Sequence, residues 1–359
     1  MATDFDAIVV GSGMSGGWAA KEFSEKGMKT LLIERGRHVE HMEDYPTEGT
    51  PSWELPNRGR VSKEELDKDY EIQKLTSPSE ANKHFFVKDT EHGYDQPDDK
   101  FFSWIRGHHL GGRSITWGKQ SYRWSAMDFE SNKNDGYGVD WPIRYDDLAP
   151  WYDYVETFAG ICGNKDGLDV LPDGVFQPAF EFTVVEKVIK ERIEAAFEDR
   201  HFIMSRAAHL TEPTQEQLDL GRSKCQFRRE CSRGCSFGAY FSSQSATLPA
   251  ANRTGNLTTV TDAVAHSVTY DPDTGKATGV RVIDAITKEA REYTGRVVFL
   301  CASTIGSTQI MLNSVSDSFQ NGIANGSGVL GHYLMDHVFQ AGATGRMEGY
   351  EDQYHSGRR

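Results

Sequence analysis

Residues 7–36 read AIVVGSGMSGGWAAKEFSEKGMKTLLIERG. A short apolar run, Ala7 to Val10, leads into Gly11-x-Gly13-x-x-Gly16. A helix-like segment of small and apolar residues follows from Trp18 to Phe23, and a second apolar run, Thr30 to Ile33, ends on Glu34. This is a βαβ dinucleotide fingerprint, with each part at the spacing its physics requires. Gly11 allows the tight turn out of the strand, Gly13 lets backbone approach a pyrophosphate, and Gly16 lets helix and strand pack closely. The helix N-terminus faces the phosphates, because its first amides have no partner within the helix. Glu34 stands where a carboxylate accepts hydrogen bonds from a ribose. The fold class is therefore α/β, with a Rossmann-like domain.

Length and charge bound the rest. A chain of 359 residues fits two domains, or one large α/β domain with insertions. A net charge of −14 excludes a nucleic-acid partner, which needs a basic face. No apolar run approaches the ~20 residues that span a bilayer, so no transmembrane segment is expected. Phe5 to Val10 already reads as a strand, with no charged region, apolar core or cleavage site before it. An export signal is therefore not expected in this chain.

From about His38 to Lys100 the pattern becomes polar and is broken by turns such as Pro56-Asn57-Arg58-Gly59. Loops and short helices are expected there, as a lid over the site or as a solvated decoration. Order returns at Phe101 and runs into Gly111-Gly112-Arg113-Ser114-Ile115-Thr116-Trp117. Glycines in that segment can present backbone N–H groups to a flat cofactor, and a plain loop is the alternative. His108 and His109 just before it are given no chemistry.

Residues 141–160 carry a helix start at Asp146-Asp147, then Leu148, Trp151, Tyr152, Val155 and Phe158 at helical spacing, read mostly as core. Residues 182–199 repeat the period with charges on the opposite face, an amphipathic surface helix. After Asn256 the pattern turns to β. LTTVTDAVAHSVTYD, the turn Pro272 to Gly275, ATGVRVIDA and Glu289 to Tyr293 read as an antiparallel meander. Arg296 to Leu300 reads as a further buried parallel strand that runs into Cys301-Ala302-Ser303 and a helix.

Taken together, these features resemble the glucose–methanol–choline (GMC) flavoprotein oxidoreductases. The resemblance rests on the fingerprint ending Glu34-Arg35-Gly36, the Gly111-Gly112-x-Ser114 segment, and the helix start at Trp141-Pro142-Ile143. It also rests on the strand and turn from Val297 to Gly306 and on Gly328 to His337. It covers most of residues 5–337 and is nearest to the bacterial branch that holds FAD-dependent glucose, glucoside 3- and polyol dehydrogenases. It implies FAD on a glutathione-reductase-like βαβ domain with an inserted α+β substrate domain, here incomplete. The implied division gives 1–45, 101–125 and 225–337 to a discontinuous FAD-binding domain, 46–100 to an insertion or lid, and 141–224 to the start of the substrate domain.

By that resemblance Gly11, Gly13, Ser15 and Gly16 hold the pyrophosphate, Glu34 with Arg35 the adenosine ribose, and Ala263-Val264 the adenine. Gly111, Gly112, Ser114, Thr116 and Trp117 run along the flavin ring, and Cys301-Ala302-Ser303 also border the cofactor. In some members a histidine at the place of Thr116 tethers the flavin. Threonine lacks the imidazole nitrogen for that bond, so the FAD is expected to be non-covalent.

Three of the five cysteines fall within eleven residues, Cys225, Cys231 and Cys235, among Arg228, Arg229 and Arg233. Thiolates so close repel unless a metal centre takes up their charge. Free thiols or a disulfide in a loop is the alternative. The resemblance implies a three-iron (3Fe–4S) cluster that passes electrons to a cytochrome c-type acceptor. Cys301 at a strand end is accounted for by packing.

The family's catalytic histidine pair near the C-terminus has no counterpart here. Neither His337 nor His355 is assigned to it, and no catalytic residue is named. The chain is expected to be the N-terminal portion of a longer protein. The expected activity is oxidation of a sugar or glycoside secondary alcohol, at C3 of a glucoside for preference, with hydride passing to flavin. The alternatives are a non-catalytic flavin or iron–sulfur electron-transfer module, or an inactive fragment. A small subunit bearing an export signal is expected to carry the folded protein to the periplasm, with cytoplasmic residence as the alternative.

Overall fold

The computed structural model describes residues 3–335 and 342–350. Its strands are β1 (Phe5–Val10), β2 (Thr30–Ile33), β3 (Leu257–Val260), β4 (Ala263–Asp271), β5 (Lys276–Asp284) and β6 (Ala290–Leu300). Its α-helices are α1 (Met14–Glu25), α2 (Lys63–Asp69), α3 (Ala126–Asp135), α4 (Tyr145–Ala159), α5 (Val184–Ala196), α6 (Gln215–Asp219), α7 (Leu248–Arg253) and α8 (Ser303–Asn313). The described residues form two compact units. The first takes in the chain up to Trp117, Glu230–Ser236 and Ser242–Met335; the second holds Gly118–Arg229 and Phe237–Phe241.

In the first unit the six strands form one sheet in the order β3-β2-β1-β6-β5-β4. Strands β1, β2 and β3 are parallel, and β1 is also parallel to β6. The apolar runs of β1 and β2 are buried throughout because both faces are covered, as parallel strands require. Alternation along the strands divides the core into two layers. Val9 and Leu32 pack with Ala20, Leu110, Ile115 and Leu248 on one face, while Ile8, Val10, Leu31 and Ile33 pack with Val280, Val282 and Ile310 on the other.

Two strand assignments differ from the sequence reading. Leu257–Val260 does not belong to the meander but is the outer parallel strand beside β2. Glu289–Tyr293 and Arg296–Leu300, read as separate strands, are one strand that does both jobs. Its first half pairs antiparallel with β5 through Thr294, and from Gly295 it pairs parallel with β1. The turn joining β4 to β5 falls at Pro272–Gly275 as expected. Asp271 accepts hydrogen bonds there from the Asp273 N–H and the Thr274 hydroxyl, both at 2.9 Å.

The polar stretch after β2 folds as short turns and α2, whose N-cap Ser62 accepts from the Glu65 N–H at 3.1 Å. It is anchored rather than merely solvated: Val39, Tyr45 and Phe85 belong to the same buried cluster as Val9 and Leu32.

In the second unit α4 starts at Tyr145, close to the predicted Asp146 signal. Of the residues read as core, Phe158 is buried and Leu148 and Tyr152 are half-buried, but Trp151 and Val155 face solvent. Trp151 is 63% exposed, and the helix buries Glu156, Phe158 and Ala159. Buried guanidinium groups explain that choice of face. Arg123 donates through Nε to Glu156 at 2.8 Å, and Arg222 donates to the carbonyls of Phe158 (3.2 Å) and Ala159 (2.8 Å) at the helix C-terminus. Those carbonyls have no partner within the helix, so a cation there satisfies them and complements the dipole.

Candidate functional site

The site forms where β1 hands over to α1. Gly11 turns out of the strand at φ +95°, a conformation that side chains resist, and its N–H is held by the Ile33 carbonyl at 2.7 Å. A Cβ on Gly16 would lie 1.7 Å from the Gly11 carbonyl oxygen, so this position takes only glycine if helix and strand are to meet. Gly13 is different. A Cβ there would find only the Gly111 carbonyl oxygen, at 4.0 Å. Gly13 is the N-cap of α1, and no side chain caps its first turn. Uncapped amides beside open space fit an anionic pyrophosphate.

Glu34 closes the site at the end of β2. Its carboxylate is buried and accepts from the Ser12 N–H (3.2 Å), the Ser12 hydroxyl (2.5 Å) and the Gly36 N–H (2.9 Å). Burial pushes its pKa up from the ordinary value, while those hydrogen bonds pull it down. Ala263 lies next to it, its N–H donating to the Glu34 carbonyl at 2.9 Å. The expected ribose and adenine contacts are thus neighbours. Ser15 and Arg35, expected with them, are partly to fully solvent-facing.

A chain of buried hydrogen bonds joins the fingerprint to Gly111–Thr116. The Gly111 N–H donates to the Ser12 hydroxyl at 2.8 Å, and Ser114 Oγ donates to the Gly111 carbonyl at 2.7 Å. The Ser243 N–H donates to Ser114 Oγ at 2.9 Å, and Ser243 Oγ returns to the Gly13 carbonyl at 3.0 Å. Residues Gly112–Ile115 form a tight helical turn introduced by Gly111 at φ +82°. Gly112 packs against Gly13, where a Cβ would lie 3.5 Å from the Gly13 Cα. Thr116 follows, its Oγ1 buried without a hydrogen-bond partner. Cys301 completes the wall: its N–H donates to the Val10 carbonyl at 2.7 Å, and its own carbonyl would lie 2.4 Å from a Cβ on Gly11. Trp117, Val264, Ala302 and Ser303 follow in the chain from these contacts.

The sequence reading missed Ser242–Thr247. This polar run folds as a wide π-helical turn and is almost wholly buried against Gly13, Gly17 and Gly111. Such turns occur at functional sites, but the run carries no glycine, charge or apolar period to mark it.

His108 and His109 are packing residues with an electrostatic consequence. His109 is 1% exposed and packs at a tilt against Phe85, 5.3 Å between ring centres. His108 meets His92 edge-on at 4.6 Å. Burial, then Arg35, His92, Arg106 and His109, push His108 down to about 2; burial lowers His109 and His84 to about 4 each. An unfolded histidine titrates near 6.5, so below that pH the unfolded chain binds more protons. Stability is expected to be complete above pH 6.5 and to fall as the pH drops towards 4. Thermal melts at pH 7.5 and 5 check this. The midpoint should be lower at pH 5, and His108→Gln should narrow the gap; equal midpoints would refute neutral, buried imidazoles.

The cysteine trio is divided. Cys225 belongs to the second unit, while Cys231 and Cys235 lie in the first, where the turn Cys231–Arg233 packs against Gly112–Ile115. None of the three is in a disulfide, and among the described residues no three His, Cys, Asp or Glu side chains are placed to hold a metal. His337 and His355 lie outside the described residues, as does the end of the Gly328 to His337 stretch.

Comparisons with known proteins agree with this geometry. A family model described as GMC oxidoreductase matches residues 5–339. The chain is 26% identical over 376 residues to 2-methyl-1,2-propanediol dehydrogenase of Mycolicibacterium austroafricanum, covering 97% of this chain and 58% of that protein. It is 22% identical to the fructose dehydrogenase large subunit of Gluconobacter japonicus, covering 92% of this chain and 58% of the other. With paromamine 6'-oxidase of Streptomyces fradiae the identity is 27%, covering 92% and 53%. The chain therefore spans 53–58% of the length of these relatives.

Proposed function

The chain belongs to the GMC oxidoreductase family, and from that premise we propose that it is the FAD-binding portion of a dehydrogenase acting on an alcohol group of a sugar or glycoside. The observation that carries the cofactor assignment is the uncapped start of α1 beside open space at Gly13, with buried Glu34 close by. When bound, FAD supplies the two-electron acceptor for alcohol oxidation. The residues of this chain bind and orient it. Gly11, Gly13, Ser15 and Gly16 receive the pyrophosphate at the helix N-terminus, where amide dipoles offset its charge. Glu34 accepts from the ribose hydroxyls with Arg35 alongside, and Ala263-Val264 border the adenine. The turn from Gly111 to Trp117 would lie along the flavin, and Cys301-Ala302-Ser303 would border the cofactor.

Oxidation at C3 of a glucoside is the finer reading. It is supported by the resemblance to the branch that holds glucoside 3-dehydrogenases, while relatives named as dehydrogenases of fructose and gluconate support the broader class of sugar substrates. Reduction of an artificial dye by glucosides, assayed with this chain and with a version extended at its C-terminus, tests it. Activity in the extended form alone fits a catalytic base outside this chain; activity in neither leaves a cofactor module.

The flavin is expected to come off intact when the protein is denatured in acid, because Thr116 offers no nitrogen for a covalent link. Flavin retained on the precipitated chain would refute this. Transfer through an iron–sulfur cluster on Cys225, Cys231 and Cys235 to a cytochrome, with export alongside a small partner subunit, extends the proposal. Its support is the spacing of the cysteines among arginines and the naming of one relative as a large subunit. Iron and sulfide in anaerobically purified protein are the expected result, and stoichiometric zinc or no metal at all would refute it.

A further inference from the structure

We propose that Gln244 is a cofactor-positioning residue, whose side-chain carbonyl accepts a hydrogen bond from the ribityl or flavin part of the bound dinucleotide. The inference rests on the FAD reading above. Gln244 is 3% exposed, the second residue of the π-helical turn Ser243–Thr247. Its amide Nε2 donates to the Leu110 carbonyl, which fixes the orientation of the side chain. Oε1 is then left buried with no partner. A buried acceptor without a donor is costly and calls for an explanation.

Position supplies that explanation. A Cβ on Gly111 would lie 1.9 Å from Oε1, so the glutamine fills the space that the glycine leaves. The Gly111 carbonyl in turn is the atom nearest the open space at Gly13. The orphan carbonyl therefore stands beside the uncapped start of α1 and the turn assigned to the flavin. A dinucleotide offers only acceptors at its phosphates. Its donors near this place are the ribityl hydroxyls and the imide N–H of the ring, because the adenosine donors fall to Glu34 and Ala263-Val264. Ser243, one residue earlier, is bonded to Gly13 and Ser114, so the backbone that carries Gln244 is tied to both sides of the site.

Titration of the full chain with FAD and with ADP separates this role from a structural one. Wild type is compared with Gln244→Met, which keeps the volume and removes both the acceptor and the donor to Leu110, and with Gln244→Glu, whose carboxyl, kept protonated by burial against the Leu110 carbonyl, retains both a donor to Leu110 and an acceptor at the same reach. Gln244→Met is expected to weaken FAD about tenfold and ADP less than about twofold, the loss of one hydrogen bond felt only by the flavin half. Gln244→Glu is expected to hold FAD within about threefold of wild type, and it is the arm to read if the methionine variant does not fold. Unchanged FAD affinity in Gln244→Met, an equal loss of FAD and ADP, or a tenfold loss of FAD in Gln244→Glu overturns the proposal. Wild type that binds ADP but no FAD removes the FAD reading itself, and this inference with it.

Discussion

Gly13→Val is expected to leave the protein folded and to weaken FAD binding by about tenfold to a hundredfold, since overpacking a close contact costs about 1–3 kcal/mol and each 1.4 kcal/mol is a factor of ten. The asymmetry comes from where the new atoms go. At φ −67° and ψ −156° the backbone of residue 13 is extended, so a side chain is conformationally acceptable. Nothing of the protein lies closer to the added Cβ than 4.0 Å. The valine methyl groups instead occupy the space in front of the first turn of α1, where phosphate oxygens must come to meet the amides. A melting midpoint near wild type together with a flavin titration displaced to about tenfold to a hundredfold higher concentration is the expected pair of results. Undiminished flavin content in this variant would refute the assignment of the fingerprint.

Three residues further on, the same chemical change is expected to destroy the fold. In Gly16→Val the Cβ would lie 1.7 Å from the Gly11 carbonyl oxygen, 2.7 Å from its carbon and 3.3 Å from the Cys301 Cβ. Two of these atoms are backbone in a turn already fixed at φ +95°, so they cannot rotate aside. Helix α1 would have to leave β1, exposing Ala20 and the layer formed by Val9 and Leu32. A loss above about 3 kcal/mol is expected, at the upper end for overpacking and comparable to a large fraction of a domain's stability. Soluble yield and thermal midpoint are the measurements; a midpoint within a few degrees of wild type would show that helix and strand do not depend on this contact.

These two glycines show what is legible in the sequence. Each is dictated locally, by a turn or a contact between neighbouring elements, so spacing alone reveals the βαβ unit and its acidic end. The β-meander was legible for the same reason, through alternation and the Asp271 to Gly275 turn. Long-range decisions were not. Leu257–Val260 looks like any short strand, and only its partner β2 makes it part of the parallel sheet. The exposed Trp151 follows a helical period that is indistinguishable from core, until Arg123 and Arg222 claim the opposite side of α4. Ser243 and Gln244 were invisible because polar residues buried in a π turn carry no periodic signal. Their meaning lies in partners about 130 residues upstream, with separations of 129 and 134 residues.

Strand β6 sets a limit on how this chain can vary in length. Its pairing with β5 ends at Thr294, and its pairing with β1 begins at the next residue, Gly295. Inserting or deleting one residue within Ala290–Leu300 reverses the facing of every side chain on one side of the change. Such a change before Thr294 would misalign the meander, and one after Gly295 would turn Val298 and Leu300 out of their layer. Length variation among homologues should therefore gather in the turns around residues 272–275 and 285–289, while β6 keeps its count of 11 residues.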